Sequence, residues 1–345
     1  MSAAVETQGL TKKFGSRLAL RGVNLNIPRG GVFGVIGPNG AGKTTTMRIL
    51  LDVMRPTSGR VRVLGESPRG GGISLRRRIG YLPGELILEG RVTGHALLEH
   101  YTRISGTVRP GMIASLTERL NLDLNVPVRS LSKGNKQKLG IIQAFMHQPE
   151  LLVLDEPTSG LDPLVQQIFL DLVREARDAG QTVFLSSHVL SEIEQVADEV
   201  AILRAGHVVA TSTVERLRAV ARRRIRALVA IAPEPQGVDV LEHIHTLFSS
   251  LPELRDLQVS REPVSSLTPA TSPDSTDSAG SADSPGLLSI TGSLAGDPDT
   301  FLKTIARLHV HDISIETPNL EDAVLTLYSE SDAEITSSLT KETGS

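Results

Sequence analysis

Eight consecutive residues constrain this chain more than any other stretch: Gly37-Pro38-Asn39-Gly40-Ala41-Gly42-Lys43-Thr44 fits the pattern G-x-x-x-x-G-K-[ST]. The pattern stands where its chemistry needs it, after the β-branched apolar run Val32 to Ile36 and before a helical pattern over Lys43 to Met54. Glycines let a backbone fold tightly, so that successive N–H groups converge on phosphate oxygens. The start of the following helix adds partial positive charge. Lys43 is expected to reach the β- and γ-phosphates and the Thr44 hydroxyl to ligate Mg²⁺, with Thr45 a further nucleotide contact. A chance glycine turn rarely satisfies the full spacing and both flanking elements, so the chain is read as binding a nucleoside triphosphate.

Leu151-Leu152-Val153-Leu154-Asp155-Glu156-Pro157 is an apolar strand that ends in two carboxylates. Side chains alternate along a strand, so the two face different surroundings. Asp155 suits the magnesium shell, and Glu156 suits polarisation of an attacking water. An acidic strand end that caps a helix explains the segment alone but not its company with the phosphate loop. His188 follows the apolar run that ends at Ser186-Ser187. It is either a structural histidine at a strand end or an imidazole that bonds the γ-phosphate or the attacking water.

The surrounding sequence predicts an α/β domain over residues 1–217, with strands at Val32 to Ile36, Arg60 to Leu64, Leu151 to Leu154 and Thr182 to Leu185. Near-continuous apolar runs such as these belong to central strands covered on both faces. A helix is expected over Leu164 to Ala179. Gly90 to Leu124 has helical patterning without a strong strand and marks an inserted helical subdomain, placed at about 86–135. Residues 218–330 form a small α+β domain, with strands near Ile225 to Ile231, Leu287 to Ile290 and Ile313 to Glu316, and helices near Val240 to Phe248 and Phe301 to Leu308. Residues 262–286, dominated by Ser, Thr, Pro, Asp, Ala and Gly, cannot bury enough apolar area to offset ordering and are read as a disordered insertion. Residues 331–345 are read as a flexible tail.

Composition narrows the function classes. A net charge of −3 over 345 residues gives no sign of a general nucleic-acid binder. The local run Arg222-Arg223-Arg224 with Arg226 is either a solvated helix end or a contact for lipid head groups or a partner. There are no cysteines, which excludes disulfides and Cys-ligated metals and fits a reducing compartment. The first six residues lack the blocks of a secretory signal. No apolar run approaches the roughly 18 residues that span a bilayer, so any membrane channel is expected on another chain.

Together these segments resemble the ATP-binding subunit of an ABC transporter. The most specific is Leu131-Ser132-Lys133-Gly134-Asn135-Lys136-Gln137, which is similar to the signature L-S-G-G-Q. The resemblance implies that Ser132 and Gly134 cap the nucleotide of an opposite subunit, so that two chains arranged head to tail sandwich ATP. It implies that Ser159-Gly160-Leu161-Asp162 joins the two sites, that His188 is the switch histidine, and that Phe14 stacks on adenine. A buried core Phe is the other reading of Phe14. Lys133 and Asn135 depart from the signature. Gly84, in Arg78-Ile79-Gly80-Tyr81-Leu82-Pro83-Gly84-Glu85, stands where the family has glutamine, with Glu85 beside it as a candidate substitute oxygen ligand. The closing segment Glu316 to Val324 resembles subunits paired with ABC-2 type permeases, among them daunorubicin-resistance exporters. The resemblance thus implies an ATPase using ATP and Mg²⁺, partnered by an ABC-2 permease and a second subunit, cytoplasmic and peripheral at the inner face of the cell membrane. A soluble ATPase acting on DNA or ribosomes and a regulatory subunit without turnover are the alternatives.

Overall fold

The computed structural model describes residues 3–220, 223–230, 240–249, 251, 253–262, 287–316 and 324. It divides into two compact units, Met1–Glu215 with Val324–Ser345, and Arg216–Ala323.

In the first unit a six-stranded sheet carries β3 (Val32–Ile36), β5 (Ile79–Leu82), β6 (Leu151–Asp155), β7 (Thr182–Ser187), β8 (Glu199–Arg204) and β9 (His207–Thr213), in the order β5-β6-β7-β3-β8-β9. The first five strands are parallel and only β9 pairs antiparallel. Every residue of β3, β6 and β7 is buried, which explains why these strands read as unbroken apolar runs. Because β6, β7 and β3 are adjacent and parallel, their carboxyl ends deliver three loops to one edge of the sheet. Open α/β sheets bind ligands at that edge.

A second, antiparallel sheet pairs β1 (Ala3–Phe14) with β2 (Arg17–Pro28) and β4 (Ser58–Val63) in the order β2-β1-β4. Its inner residues, among them Leu10, Leu20, Val23 and Val63, share one core with Phe33 and with Met47 and Leu50 of helix α1 (Lys43–Leu50). That helix is shorter than the expected Lys43 to Met54. The N–H groups of Val53 and Met54 both return to the Arg48 carbonyl, at 3.0 and 3.1 Å, and Asp52 takes a φ of 56°. The left-handed residue ends the helix before the apolar pattern does.

Helix α2 (Pro68–Arg76) leads into β5. Helices α3 (Gly94–Ser105), α4 (Met112–Arg119) and α5 (Lys133–Phe145) occupy the expected helical segment and the start of the signature region. Asp162 caps helix α6 (Pro163–Asp178) by accepting from the Val165 N–H at 3.0 Å, with Pro163 at the first helical position. Helices α7 (Leu190–Val196) and α8 (Val214–Val220) follow β7 and β9.

The second unit runs β10 (Arg223–Ala230), α9 (Val240–Ser249), β11 (Leu254–Glu262), β12 (Leu287–Leu294), α10 (Asp299–Ile305) and β13 (His309–Ile315). Its sheet, in the order β11-β12-β10-β13, pairs antiparallel throughout. That is the split β-α-β arrangement of ferredoxin-like folds. Phe248 of α9 and Phe301 of α10 meet in its core with ring centroids 5.5 Å apart. The α+β reading of this region stands, with β11 added. Glu262, expected to begin the insertion, is the last residue of β11 and pairs with Leu287. Residues 263–286, Arg222, the closing segment at 317–323 and the tail at 331–345 lie outside the described residues. Among the described residues no helix is long and apolar enough to cross a membrane.

Candidate functional site

The loop between β3 and α1 is a cradle shaped by backbone. Gly40 and Gly42 take φ values of 83° and 113°, a region that L side chains avoid, and the Ala41 N–H closes a turn onto the Pro38 carbonyl at 3.1 Å. A Cβ on Gly37 would stand 2.2 Å from the Leu203 carbonyl oxygen of β8, so only glycine lets the loop leave the strand there. No acidic residue occupies the first turn of α1, which leaves the positive end of that helix without a neutralising side chain of its own. The cradle opens onto a cavity of about 400 Å³, whose walls include Phe14, Pro38, Asn39, Gly40, Ala41, Gly42, Lys43, Thr44, Thr45 and Glu156. Gly37 is buried behind this wall, and its carbonyl accepts from Lys43 Nζ at 2.6 Å.

Phe14 is exposed, at 47 %, which removes the buried-core reading and leaves an aromatic ring at the cavity wall. Lys12 Nζ lies 4.9 Å from the centre of that ring. Arg17 and Ala19 of β2 complete the same wall. Neither belongs to a motif, and only the hairpin between β1 and β2 brings them to the site.

The carboxylates at the end of β6 are held in different ways. Asp155 is almost completely buried. Its Oδ1 accepts from Ser186 Oγ at 2.7 Å, while Oδ2 is buried and meets no hydrogen-bond partner among the described residues. A buried carboxylate oxygen in that condition calls for a cation or a bound water. With the Thr44 hydroxyl on the cavity wall, the oxygen donors fit a hard divalent ion. Glu156 turns out of the strand with φ 48°, and its N–H is shared by the carbonyl and hydroxyl of Ser186 at 3.2 and 3.0 Å. Its Oε1 lies 3.3 Å from Lys43 Nζ, and its Oε2 pairs with Nδ1 of His188. One carboxylate therefore joins the phosphate-loop lysine to the histidine at the end of the neighbouring strand β7. Burial, with the Asp155 carboxylate adding to it, raises the Tyr81 hydroxyl above its ordinary range, and Arg48 opposes the shift.

Other expected residues lie elsewhere. Ser132, at the start of α5, accepts from the Asn135 N–H at 3.2 Å and is exposed. Ser132, Gly134 and Asp162 are absent from the walls of this chain's own cavity. Glu85 does not line the phosphate cavity. At Gly84 the backbone lies against Asp155, where an added Cβ would be 3.4 Å from Oδ2. The Glu85 side chain instead lines a separate groove of about 660 Å³ with Glu89, Lys133 and Lys136.

Phosphate cradle, buried carboxylate and Glu156–His188 pair, set on adjacent parallel strands, define a P-loop nucleoside triphosphatase. The family profile described as ABC transporter matches residues 20–159. The bacitracin transport ATP-binding protein BcrA of Enterococcus faecalis is 36 % identical over 220 residues, covering 63 % of this chain and 71 % of that protein. The daunorubicin resistance ATP-binding protein DrrA3 of Streptomyces coeruleorubidus is 38 % identical over 221 residues, covering 63 % of this chain and 70 % of that protein. Among solved structures, an ATP-binding subunit of an ABC transporter superimposes with a TM-score of 0.58 at 30 % identity, over 62 % of this chain and 92 % of that one. The chain belongs to the ATP-binding subunits of ABC transporters, and it binds and hydrolyses ATP.

Proposed function

We propose that the chain energises an ABC-2 type exporter, as one of two subunits that hold two Mg·ATP between them. The observation that carries the hydrolytic half of this reading is Glu156, placed between Lys43 and His188 at the mouth of the cradle. ATP lies with its phosphates on the N–H groups of Pro38-to-Thr45 backbone that possess them and on Lys43, and its adenine against Phe14. Thr44 and Asp155 Oδ2 would hold Mg²⁺, which when bound neutralises charge on the phosphates. Phosphate oxygens compete with Glu156 for Lys43 Nζ. The freed carboxylate then takes a proton from the attacking water, while His188 stays within reach of the γ-phosphate.

The signature residues Ser132 and Gly134 lie outside their own chain's cavity and are solvent-accessible, which supports their use on the nucleotide of a second copy. Asp162, at the start of α6, belongs to the connection between the two sites. Relatives named for bacitracin transport and daunorubicin resistance support coupling to an exporter. The helical subdomain with α3 and α4 is the docking surface for the permease, and the chain sits peripherally at the inner face of the membrane. ATP binding favours the closed pair and hydrolysis releases it, which shifts the permease between its states.

Mg-dependent hydrolysis by wild type and Glu156→Gln tests the site. The variant is expected to keep ATP affinity and lose turnover by about 100-fold or more. Wild-type turnover in Glu156→Gln would remove Glu156 from the chemistry. A copurified permease that leaves the wild-type rate unchanged would remove the coupling.

A further inference from the structure

The buried polar group that these roles leave unused is Glu192, in the first turn of α7. Its side chain is 6 % exposed, and among the described residues no basic side chain pairs with it. Both of its hydrogen bonds fall on one oxygen: Thr158 Oγ1 donates to Oε2 at 2.9 Å and Ser187 Oγ donates to the same atom at 2.7 Å. Thr158 and Ser187 are themselves buried, at 6 % and 1 %.

The positions of these hydroxyls matter more than their number. Thr158 lies two residues beyond Glu156, on the loop that leaves β6. Ser187, the last residue of β7, immediately precedes His188, which opens the loop that leaves the strand. Glu192 thus ties together the two loops whose side chains meet in the Glu156–His188 pair. The Ser187 hydroxyl also accepts from the Val189 N–H at 2.9 Å, so one side chain bends the chain on both sides of His188. The Thr158 loop is anchored on its other side by Gln137, whose Nε2 donates to the Pro157 carbonyl at 2.8 Å. Glu156 itself is in the left-handed region, a conformation that persists only where neighbours hold it.

We infer that Glu192 is a positioning residue for ATP hydrolysis, fixing the loops after β6 and β7 through the hydroxyls of Thr158 and Ser187 so that Glu156 and His188 meet in register. It touches neither the nucleotide cavity nor the pair itself. The inference rests on the assignment of Glu156 and His188 to the reaction.

A displaced catalytic group lowers turnover far more than it lowers substrate affinity. Glu192→Ala is therefore expected to reduce kcat about 10- to 100-fold with KM for ATP within about two-fold of wild type. Glu192→Gln keeps an oxygen that accepts from both hydroxyls, and it is expected to recover most of the lost rate. Should Glu192→Ala fail to fold, Thr158→Val removes one of the two bonds and is expected to lower kcat several-fold, again at constant KM. Wild-type kcat in folded Glu192→Ala, or in Thr158→Val, overturns the inference, as does a Gln variant as defective as Ala. A loss carried by KM overturns it too, since that places Glu192 in nucleotide binding. Glu156→Gln, measured beside them, separates the two claims: full activity there defeats the assignment of Glu156, whereas its loss together with an inert Glu192→Ala defeats only the role of Glu192.

Discussion

Glu156 holds a backbone conformation that L-residues avoid, at a cost of roughly 1–2 kcal/mol. The return is direction: a carboxylate that leaves the strand axis reaches Lys43 on one side and His188 on the other. Gly37 shows the opposite constraint, with no tolerance for a side chain. Its absent Cβ would lie 2.2 Å from a main-chain oxygen of β8, and a strand backbone cannot step aside as a flexible side chain can. Gly37→Ala is expected to lower the unfolding free energy by about 1–3 kcal/mol in urea titration. A change within about 0.5 kcal/mol would show that the loop relaxes freely. The residues legible from sequence were those in contiguous runs: the cradle, Asp155-Glu156, and His188 after its strand. Arg17, Ser186 and Glu192 were not legible. Each acts through a partner 30 or so positions away or across a hairpin, as Ser186 does on Asp155, and a single sequence carries no spacing rule for such pairs.

Among elements, the buried parallel strands were the most legible because burial on both faces leaves an unbroken apolar run. Strands β1 and β2 escaped for the converse reason. Their pairing shifts register at four points, between Ala3 and Val5, Thr7 and Leu10, Leu10 and Lys12, and Lys12 and Lys13, so that no steady alternation survives in the sequence. The turn from α5 into β6 carries an acid-sensitive group. Burial pushes the His147 imidazole below its ordinary value of 6.5; neither ring nitrogen meets a well-formed hydrogen bond among the described residues, although the backbones of Ile79 and Gln143 lie beside the ring. A depressed histidine pKa means that the unfolded chain binds the proton first. The stabilising contribution is complete above about pH 6.5 and is lost as pH falls toward the folded value. Unfolding free energies at pH 7.5 and 5.5 are expected to differ more for wild type than for His147→Gln. Equal differences would show that His147 does not contribute to acid sensitivity.

For the whole molecule, the ATP-binding unit and the ferredoxin-like unit each have a core of their own. The sequence pattern changes after Leu217, while the compact units part between Glu215 and Arg216; the ferredoxin-like strand order was not legible. Strand order depends on which hydrogen-bond edges meet, and β12 sits between β10 and β11 although 24 residues lie between the ends of β11 and β12 in sequence. The central claim for the molecule is that its ATP site is completed by a second copy. Sedimentation of Glu156→Gln with Mg·ATP tests it most directly, with Ser132→Arg added to block the signature surface. The expected result is a monomer without nucleotide, a dimer with Mg·ATP, and a monomer again in the double variant. A Glu156→Gln chain that stays monomeric with ATP bound at one per chain, and that shows the same sedimentation with and without Ser132→Arg, would contradict the shared site.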